Sequence, residues 1–132
     1  MTSLELYERE RPIPPEDYVR VDHEELRDFV TNIFLALGVD RWEAKVVADV
    51  LVTADLFGIS SHGVQRVRRY TDGIRVGNVN IRANVRIVRD SGATALMDGD
   101  NGLGQPIGVR AMELAVEKAR RYGIGLVLVK NS

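Results

Sequence analysis

Apolar residues recur every three or four positions in the first part of the chain, a spacing that predicts amphipathic helices. Asp22 precedes the first such stretch and Glu25 follows three residues later, which is the pattern of a helix-starting capping box. Gly38 marks the predicted end of this helix. Its predicted apolar face comprises Leu26, Phe29, Val30, Ile33, Phe34 and Leu37.

A second predicted helix begins with the same kind of signal, because Asp40 and Glu43 repeat the capping box. Only Gly38 and Val39 separate the two helices, so they are predicted to form an antiparallel hairpin. A third helix is predicted over about 64–74. The apolar face of the second helix comprises Val46, Val47, Val50, Leu51 and Ala54.

The spacing changes in the second half of the chain. Residues 85–88 and 93–97 predict two strands, separated by a turn at Ser91-Gly92. A glycine-rich loop follows, and then a helix over about 106–122. The almost wholly apolar run 124–129 predicts a strand that is buried on both faces of a sheet.

These patterns predict an α/β fold, in which an N-terminal helical segment leads into part of a mixed sheet domain. Three regions are expected. Residues 1–18 form a tail, because its closely spaced prolines disfavour a helix. Residues 19–77 form the helical segment, and residues 78–132 form a partial α/β domain that is truncated at its C-terminal end.

The composition excludes several classes of protein. The net charge of −1 gives no electrostatic reason to expect binding to nucleic acid or to an acidic membrane surface. The chain has no cysteine and only two histidines, so no disulfide and no metal site is expected. No apolar run approaches the ~20 residues of a membrane helix. We therefore expect a cytoplasmic location.

The most informative candidate chemistry lies at Ser61-His62-Gly63, between the second and third predicted helices. Arg66 follows His62 by four residues and is expected on the same helix face. Imidazole and guanidinium together suit an anionic substrate, because the Arg can bind a carboxylate bidentately. The alternative is that the His only satisfies turn backbone. Ser61 and His62 are not expected to form a hydrolase pair, because adjacent side chains seldom meet.

The glycine-rich loop over 98–105 has two interpretations. Its glycines make a tight turn, or the backbone N–H groups at the start of the following helix bind a phosphate or carboxylate. It lacks the Rossmann fingerprint, since Ile107 stands where the third glycine is required. Asp98 and Asp100 are expected to serve the turn rather than to act as a catalytic carboxylate pair.

Several blocks of the sequence, in this order and spacing, resemble a known family. They include Asp55, Ser61-His62-Gly63, the Asp-Gly-x-x-Gly-x-Gly-Gln block over 98–105, and the closing segment 123–132. Together they closely resemble the N-terminal part of the malate/L-lactate dehydrogenase family. That family also holds ureidoglycolate and sulfolactate dehydrogenases and is distinct from the Rossmann-type lactate dehydrogenases. The resemblance runs from about Val19 to the last residue.

The resemblance implies a non-Rossmann dehydrogenase fold and an oxidoreductase. Such an enzyme moves hydride between a nicotinamide cofactor, NAD or NADP, and a 2-hydroxy/2-oxo acid such as malate or lactate. It implies that Ser61 and His62 hydrogen-bond the substrate, with His62 catalytic, and that Arg66 binds the substrate carboxylate. A homodimer is expected for the full-length family. The implied cofactor-binding residues are Gly102, Gly104 and Gln105.

The chain departs from the family pattern in two ways. Phe57 stands where the family usually has Arg, and Ser60 where it often has an acidic residue, so charge is removed from beside His62. Family members are well over twice this length, and their pattern continues past Ser132 into a second His, the family's expected proton donor. The chain is thus expected to hold half an active site, completed either by a separately encoded C-terminal portion or by the rest of a longer polypeptide. The alternative is an inactive truncated remnant or an interaction module.

Overall fold

The computed structural model describes residues 14, 16 and 19–132. The predicted tail over 1–18 therefore lies almost entirely outside the described residues. The described part contains four α-helices and a three-stranded sheet. In chain order the elements are α1 (His23–Ala36), α2 (Arg41–Leu56), α3 (Val67–Arg75), β1 (Arg86–Ser91), β2 (Thr94–Asp98), α4 (Gly104–Tyr122) and β3 (Leu126–Lys130).

Helices α1 and α2 begin where the capping signals predict. The Asp22 carboxylate accepts hydrogen bonds from the backbone N–H groups of Glu24 and Glu25, and Asp40 caps α2 in the same way. Among the described residues, neither Glu25 nor Glu43 completes its capping box by accepting from the N–H of the capping aspartate. The Glu43 side chain binds Arg110 of α4 at 3.0 Å instead, so it joins two helices.

The first hydrophobic core lies between α1 and α2, and its fully buried side chains include Val30, Phe34, Val47 and Leu51. Two predictions about these helix faces are wrong, because Phe29 is 62% exposed and Val50 is also exposed. Both lie at the margin of an apolar stripe, where none of the described segments covers them.

The sheet has the order β1-β2-β3, with β1 antiparallel to β2 and β2 parallel to β3. Helix α4 makes the crossover between the two parallel strands, as such a connection requires. Met97 of β2 and Ile107 and Ala111 of α4 form a second core, against which Val127 and Val129 of β3 pack.

The prediction that the run 124–129 is buried on both faces is wrong for the described part of the chain. Side chains alternate along β3, so Val127 and Val129 face α4 while Leu126 and Leu128 are exposed. The apolar composition is compatible with a second covered face, but none of the described residues covers it.

The two halves of the chain meet at Leu103, the residue that immediately precedes α4. Leu103 is 3% exposed and belongs to the helical core rather than to the core under the sheet. Arg110 of α4 adds a second connection, because its guanidinium binds Glu43 and lies 4.9 Å from the centre of the Trp42 ring. The start of α4 is therefore held against the helical segment.

We expect Leu103→Ala to lower the free energy of unfolding of the 132-residue chain by about 2–5 kcal/mol, because it opens a cavity in the helical core. Urea unfolding followed by the fluorescence of Trp42, the only tryptophan, measures the change. Leu128→Ala is the matched control, since it removes the same atoms from an exposed position. Equal losses in the two variants would contradict this account of how the halves are joined.

Candidate active site

The Ser-His-Gly segment folds as two short 3₁₀ turns, Ser60–His62 and Val64–Arg66, between α2 and α3. The predicted third helix therefore begins later than expected, at Val67 rather than at 64. The difference arises because Gly63 has an extended backbone, which interrupts helical geometry between the two turns. His62 and Arg66 consequently lie on successive turns and not on one helix face.

Three side chains hold this segment through hydrogen bonds to its backbone. The Asp55 carboxylate accepts from the Val64 N–H at 2.8 Å. Gln65 donates its side-chain amide to the Ser60 carbonyl, and Arg66 donates its Nε–H to the Ser61 carbonyl at 2.6 Å. The loop that carries the candidate imidazole is thus ordered by contacts on both sides.

Ser61 connects the imidazole to the guanidinium. Its Oγ lies 3.0 Å from Nδ1 of His62, while its carbonyl accepts from Arg66. The expectation that adjacent Ser and His side chains do not meet is therefore wrong, because the tight 3₁₀ turn brings them together. This contact orients the ring and leaves its Nε2 without a hydrogen-bond partner among the described residues.

The positive charge of Arg66 is not paired with a carboxylate among the described residues, so it is available to an anionic ligand. The Arg66 side chain is half-buried. The hydrogen bond to Ser61 uses only Nε, so the two terminal nitrogens remain available as donors. Arg68 differs, because it is 91% exposed and lies beside Asp72.

A cleft of about 810 Å³ lies between α3 and the start of α4. The three residues predicted to bind the cofactor, Gly102, Gly104 and Gln105, all line it. Ser61, His62 and Arg66 do not, but Tyr70 of the cleft wall follows Arg66 by four residues, about one helical turn. The structure therefore does not bring the two predicted sets of residues into one pocket, although α3, which lines the cleft, follows directly on the turn that ends at Arg66.

Arg69 also lines the cleft, together with Tyr70. Arg66, Arg68 and Arg69 are too close together in sequence for all three to face a core. The sequence therefore predicts that the Arg69 side chain is solvated. The Arg69 side chain is exposed, as this prediction requires, but the sequence did not predict that it lines the cleft. The available signal was its spacing, since Arg69 and Gly73 are four residues apart on the same helix and line the same cleft.

The two glycines that the 98–105 block contributes to the cleft, Gly102 and Gly104, have different physical reasons to be glycine. A Cβ on Gly102 would lie 2.8 Å from the Cβ of Ala83, so this residue is required for close packing. A Cβ on Gly104 would meet nothing within 4 Å, so its absence only leaves the cleft wider. The tight-turn interpretation of the glycine-rich loop therefore holds for Gly102, while binding of a ligand by the N–H groups beside Gly104 stays a prediction.

The start of α4 offers groups that suit a dinucleotide. Gln105 presents a buried side-chain oxygen that has no hydrogen-bond partner within the described structure, and such an acceptor suits a ligand hydroxyl or amide. The first turn of α4 contains no acidic residue, so nothing there neutralises its N-terminal N–H groups. These groups are compatible with a ligand that carries hydrogen-bond donors and anionic oxygens, as a dinucleotide does.

Asp98 and Asp100 organise the loop that leads to α4, as the turn interpretation predicts. Asp98 accepts from the side chain of Asn131 at 3.0 Å and from the backbone N–H of Asp100 at 3.2 Å. Together with Lys130, these contacts lower the pKa of Asp98 from 3.8 to about 2. Asp100 in turn accepts from the Asn84 N–H. The two carboxylates therefore serve separate hydrogen-bond networks.

The described residues show neither a metal-binding cluster nor a helix that could span a membrane. They contain no group of three or more His, Asp or Glu side chains arranged to hold a metal ion. None of the described helices has the length and apolar character that crossing a membrane demands.

Comparison with known proteins identifies the family. The family model described as Malate/L-lactate dehydrogenase matches residues 21–132. The chain belongs to the malate/L-lactate dehydrogenase family. The recognition made from the Ser-His-Gly and glycine-rich blocks is thereby confirmed.

Several relatives in this family are close in sequence. Malate dehydrogenase of Pyrococcus abyssi is 51% identical over 117 residues, which cover 89% of this chain and 32% of the relative. L-sulfolactate dehydrogenase of Methanocaldococcus jannaschii is 42% identical over 80% of this chain and 31% of the relative. The chain spans about a third of the length of these curated relatives.

Solved structures of the family confirm the α/β fold. Malate dehydrogenase from Pyrococcus horikoshii superposes with a TM-score of 0.89 at 48% identity, covering 93% of this chain and 35% of that one. Sulfolactate dehydrogenase from Methanocaldococcus jannaschii gives a TM-score of 0.82. The chain is thus a dehydrogenase-family segment, while the individual roles of Ser61, His62 and Arg66 stay predictions.

We expect the stabilising effect of the Asp98 carboxylate to depend on pH. Its pKa is lowered in the folded state, so its contribution is full above the unfolded value of 3.8 and is lost as the pH falls towards about 2. Asp98→Asn should therefore lower the urea midpoint at pH 7, and this deficit should shrink between about pH 4 and pH 2.

Asp28→Asn provides the control, because Asp28 is an exposed carboxylate without a partner among the described residues. A deficit for Asp98→Asn that stays constant down to about pH 2 would show that the Asp98 charge is not what holds the loop.

Proposed function

We propose that the chain is the N-terminal part of an NAD- or NADP-dependent dehydrogenase of 2-hydroxy acids such as malate or lactate. The observation that carries the proposal is the arrangement around Ser61, which joins an oriented imidazole to a guanidinium without a carboxylate partner. Family membership supports the reaction class. No observation favours the alternative of an inactive remnant or an interaction module.

On the substrate side, Arg66 binds the carboxylate of the acid through its two terminal nitrogens. His62 is held at Nδ1 by Ser61, so its Nε2 is the atom that hydrogen-bonds the oxygen on the carbon that reacts. Ser61 supports both residues, since its hydroxyl meets the ring and its carbonyl accepts from Arg66. The three residues thus place and polarise the substrate.

On the cofactor side, Gly104 and Gln105 hold one part of the dinucleotide at the start of α4, and Gly102 shapes the loop beside it. When bound, the nicotinamide group supplies the hydride chemistry. The buried acceptor of Gln105 would accept a hydrogen bond from a donor of the cofactor, and the N-terminal N–H groups of α4 would suit its anionic part.

The complete catalytic unit needs more polypeptide than this chain, because the chain spans about a third of its relatives. The expected proton donor of the family lies in the missing part, as the resemblance implies. We propose that the complete unit is a cytoplasmic homodimer, with the remaining portion supplied by a longer or a separately encoded polypeptide.

We expect the 132-residue chain alone to show no turnover of malate or lactate with either cofactor. A positioned general acid contributes roughly 10²–10⁴-fold, and that group is expected outside this chain. The test joins the chain to the matching C-terminal portion of the Pyrococcus abyssi enzyme and follows NADH or NADPH absorbance. Turnover should be seen only in this chimera. Robust turnover by the 132-residue chain alone would contradict the proposal that part of the active site lies outside it.

In the chimera, we expect Arg66→Ala to raise the KM for the acid by about 10- to 150-fold, with a much smaller effect on the cofactor KM. The reason is that a charge-assisted bidentate contact is worth roughly 1.5–3 kcal/mol. His62→Ala should lower kcat/KM for the same substrate. Steady-state kinetics with each substrate varied separately distinguish these effects.

Arg68→Ala is the matched control, because the Arg68 side chain is exposed, lies two residues further along the chain, and makes an ion pair only with Asp72 among the described residues. Arg69 is unsuitable as a control, since it lines the cleft. If Arg66→Ala and Arg68→Ala behave alike, Arg66 is a structural residue and the carboxylate site lies elsewhere.

A further inference from the structure

The Asp55 carboxylate lies at the end of α2 and reaches the second 3₁₀ turn of the Ser-His-Gly segment. Its Oδ2 accepts the Val64 N–H at 2.8 Å in a partly buried position, nine residues further along the chain. That turn has no cap of its own, because the residue before it is Gly63, which has no side chain. Asp55 therefore does for this turn what an N-cap residue does for a helix.

The same carboxylate occupies the space beside Gly63. A Cβ built on the buried Gly63 would overlap the Asp55 side chain, and the three atoms nearest to it all belong to Asp55. The backbone of Gly63 lies at φ −87° and ψ −156°, which other residues also adopt. Gly63 is thus required for the space it leaves to Asp55 and not for its backbone angles.

We propose that Asp55 is a positioning residue for the substrate site, acting through Gly63 and Val64 on Ser61 and His62. The second turn is fixed relative to α2 by the Asp55 contact, and the first turn is held between α2 and that fixed point. The bond of Arg66 to the Ser61 carbonyl then transmits the same placement to the guanidinium. This inference rests on the proposed function of Ser61, His62 and Arg66.

The first measurement needs no activity. Hydrogen exchange of the Val64 amide is followed in the full 132-residue chain. Asp55→Ala removes the acceptor, so exchange should become about 10-fold faster or more, as expected for loss of a bond to a charged group. Asp55→Asn retains an oxygen acceptor and should stay near the parent rate. Asp40→Ala is the matched control, since Asp40 caps α2 through the same chemistry at a different place.

The second measurement uses the chimera with the C-terminal portion of the Pyrococcus abyssi enzyme. Asp55→Ala should lower kcat/KM for the acid by about 10- to 100-fold, because a misplacement of about 1 Å can cost 10²-fold. The cofactor KM should change by less than about twofold, and Asp55→Asn should restore most of the activity. Asp40→Ala should leave the kinetics unchanged, although it also removes a capping carboxylate.

A double variant tests the route through Gly63. Gly63→Ala should be damaging while Asp55 is present, because the added methyl group overlaps the carboxylate. Combined with Asp55→Ala, it should cost little more than Asp55→Ala alone, since the overlap is gone. Independent structural roles would instead give additive losses.

The possible outcomes separate the two proposals. An unchanged Val64 exchange rate in Asp55→Ala, additive losses in the double variant, or faster exchange without loss of kcat/KM would each overturn the role of Asp55. A His62→Ala chimera with parental kinetics would instead overturn the proposed function, while the exchange result would still report on the Asp55 contact.

Discussion

Leu103 belongs to the helical core although it lies in the loop before α4, and the geometry of the candidate site depends on this burial. Because Leu103 enters the core formed by α1 and α2, the first residues of α4 lie across the cleft from α3. Further along α4, Arg110 contacts Glu43 and Trp42 and so fixes the helix against α2. The cleft therefore results from the packing of the two halves, and the glycine-rich loop only shapes its wall.

The elements of the fold were predictable because their signals are local. Asp22 and Asp40 cap helices that begin within a few residues of them, a turn signal precedes β2, and an apolar run marks β3. The exposure of Phe29 and Leu128 was not predictable, since an apolar side chain does not reveal whether another segment covers it. The same limit applies to Glu43, whose partner is 67 residues away.

The residues of the candidate site were found through their chemistry, but their arrangement was not. Imidazole, guanidinium and glycine-rich segments stand out in a sequence, so Ser61, His62 and Arg66 were identified. The bridge through Ser61 depends on 3₁₀ geometry, which helical spacing does not indicate. The Asp55 bond to Val64 joins two elements, and only the folded chain brings them together.

The three arginines between His62 and Tyr70 differ in what balances their charge. Arg68 has Asp72 beside it in water, where such a pair contributes little. Arg66 donates to a neutral carbonyl, so its charge is not compensated within the described chain. An uncompensated guanidinium at an open surface is screened by solvent, but it attracts an anion far more strongly once water is excluded. Under the proposed function, this chain therefore supplies the groups that recognise the anion. The strength of that recognition depends on how far water is excluded from these groups.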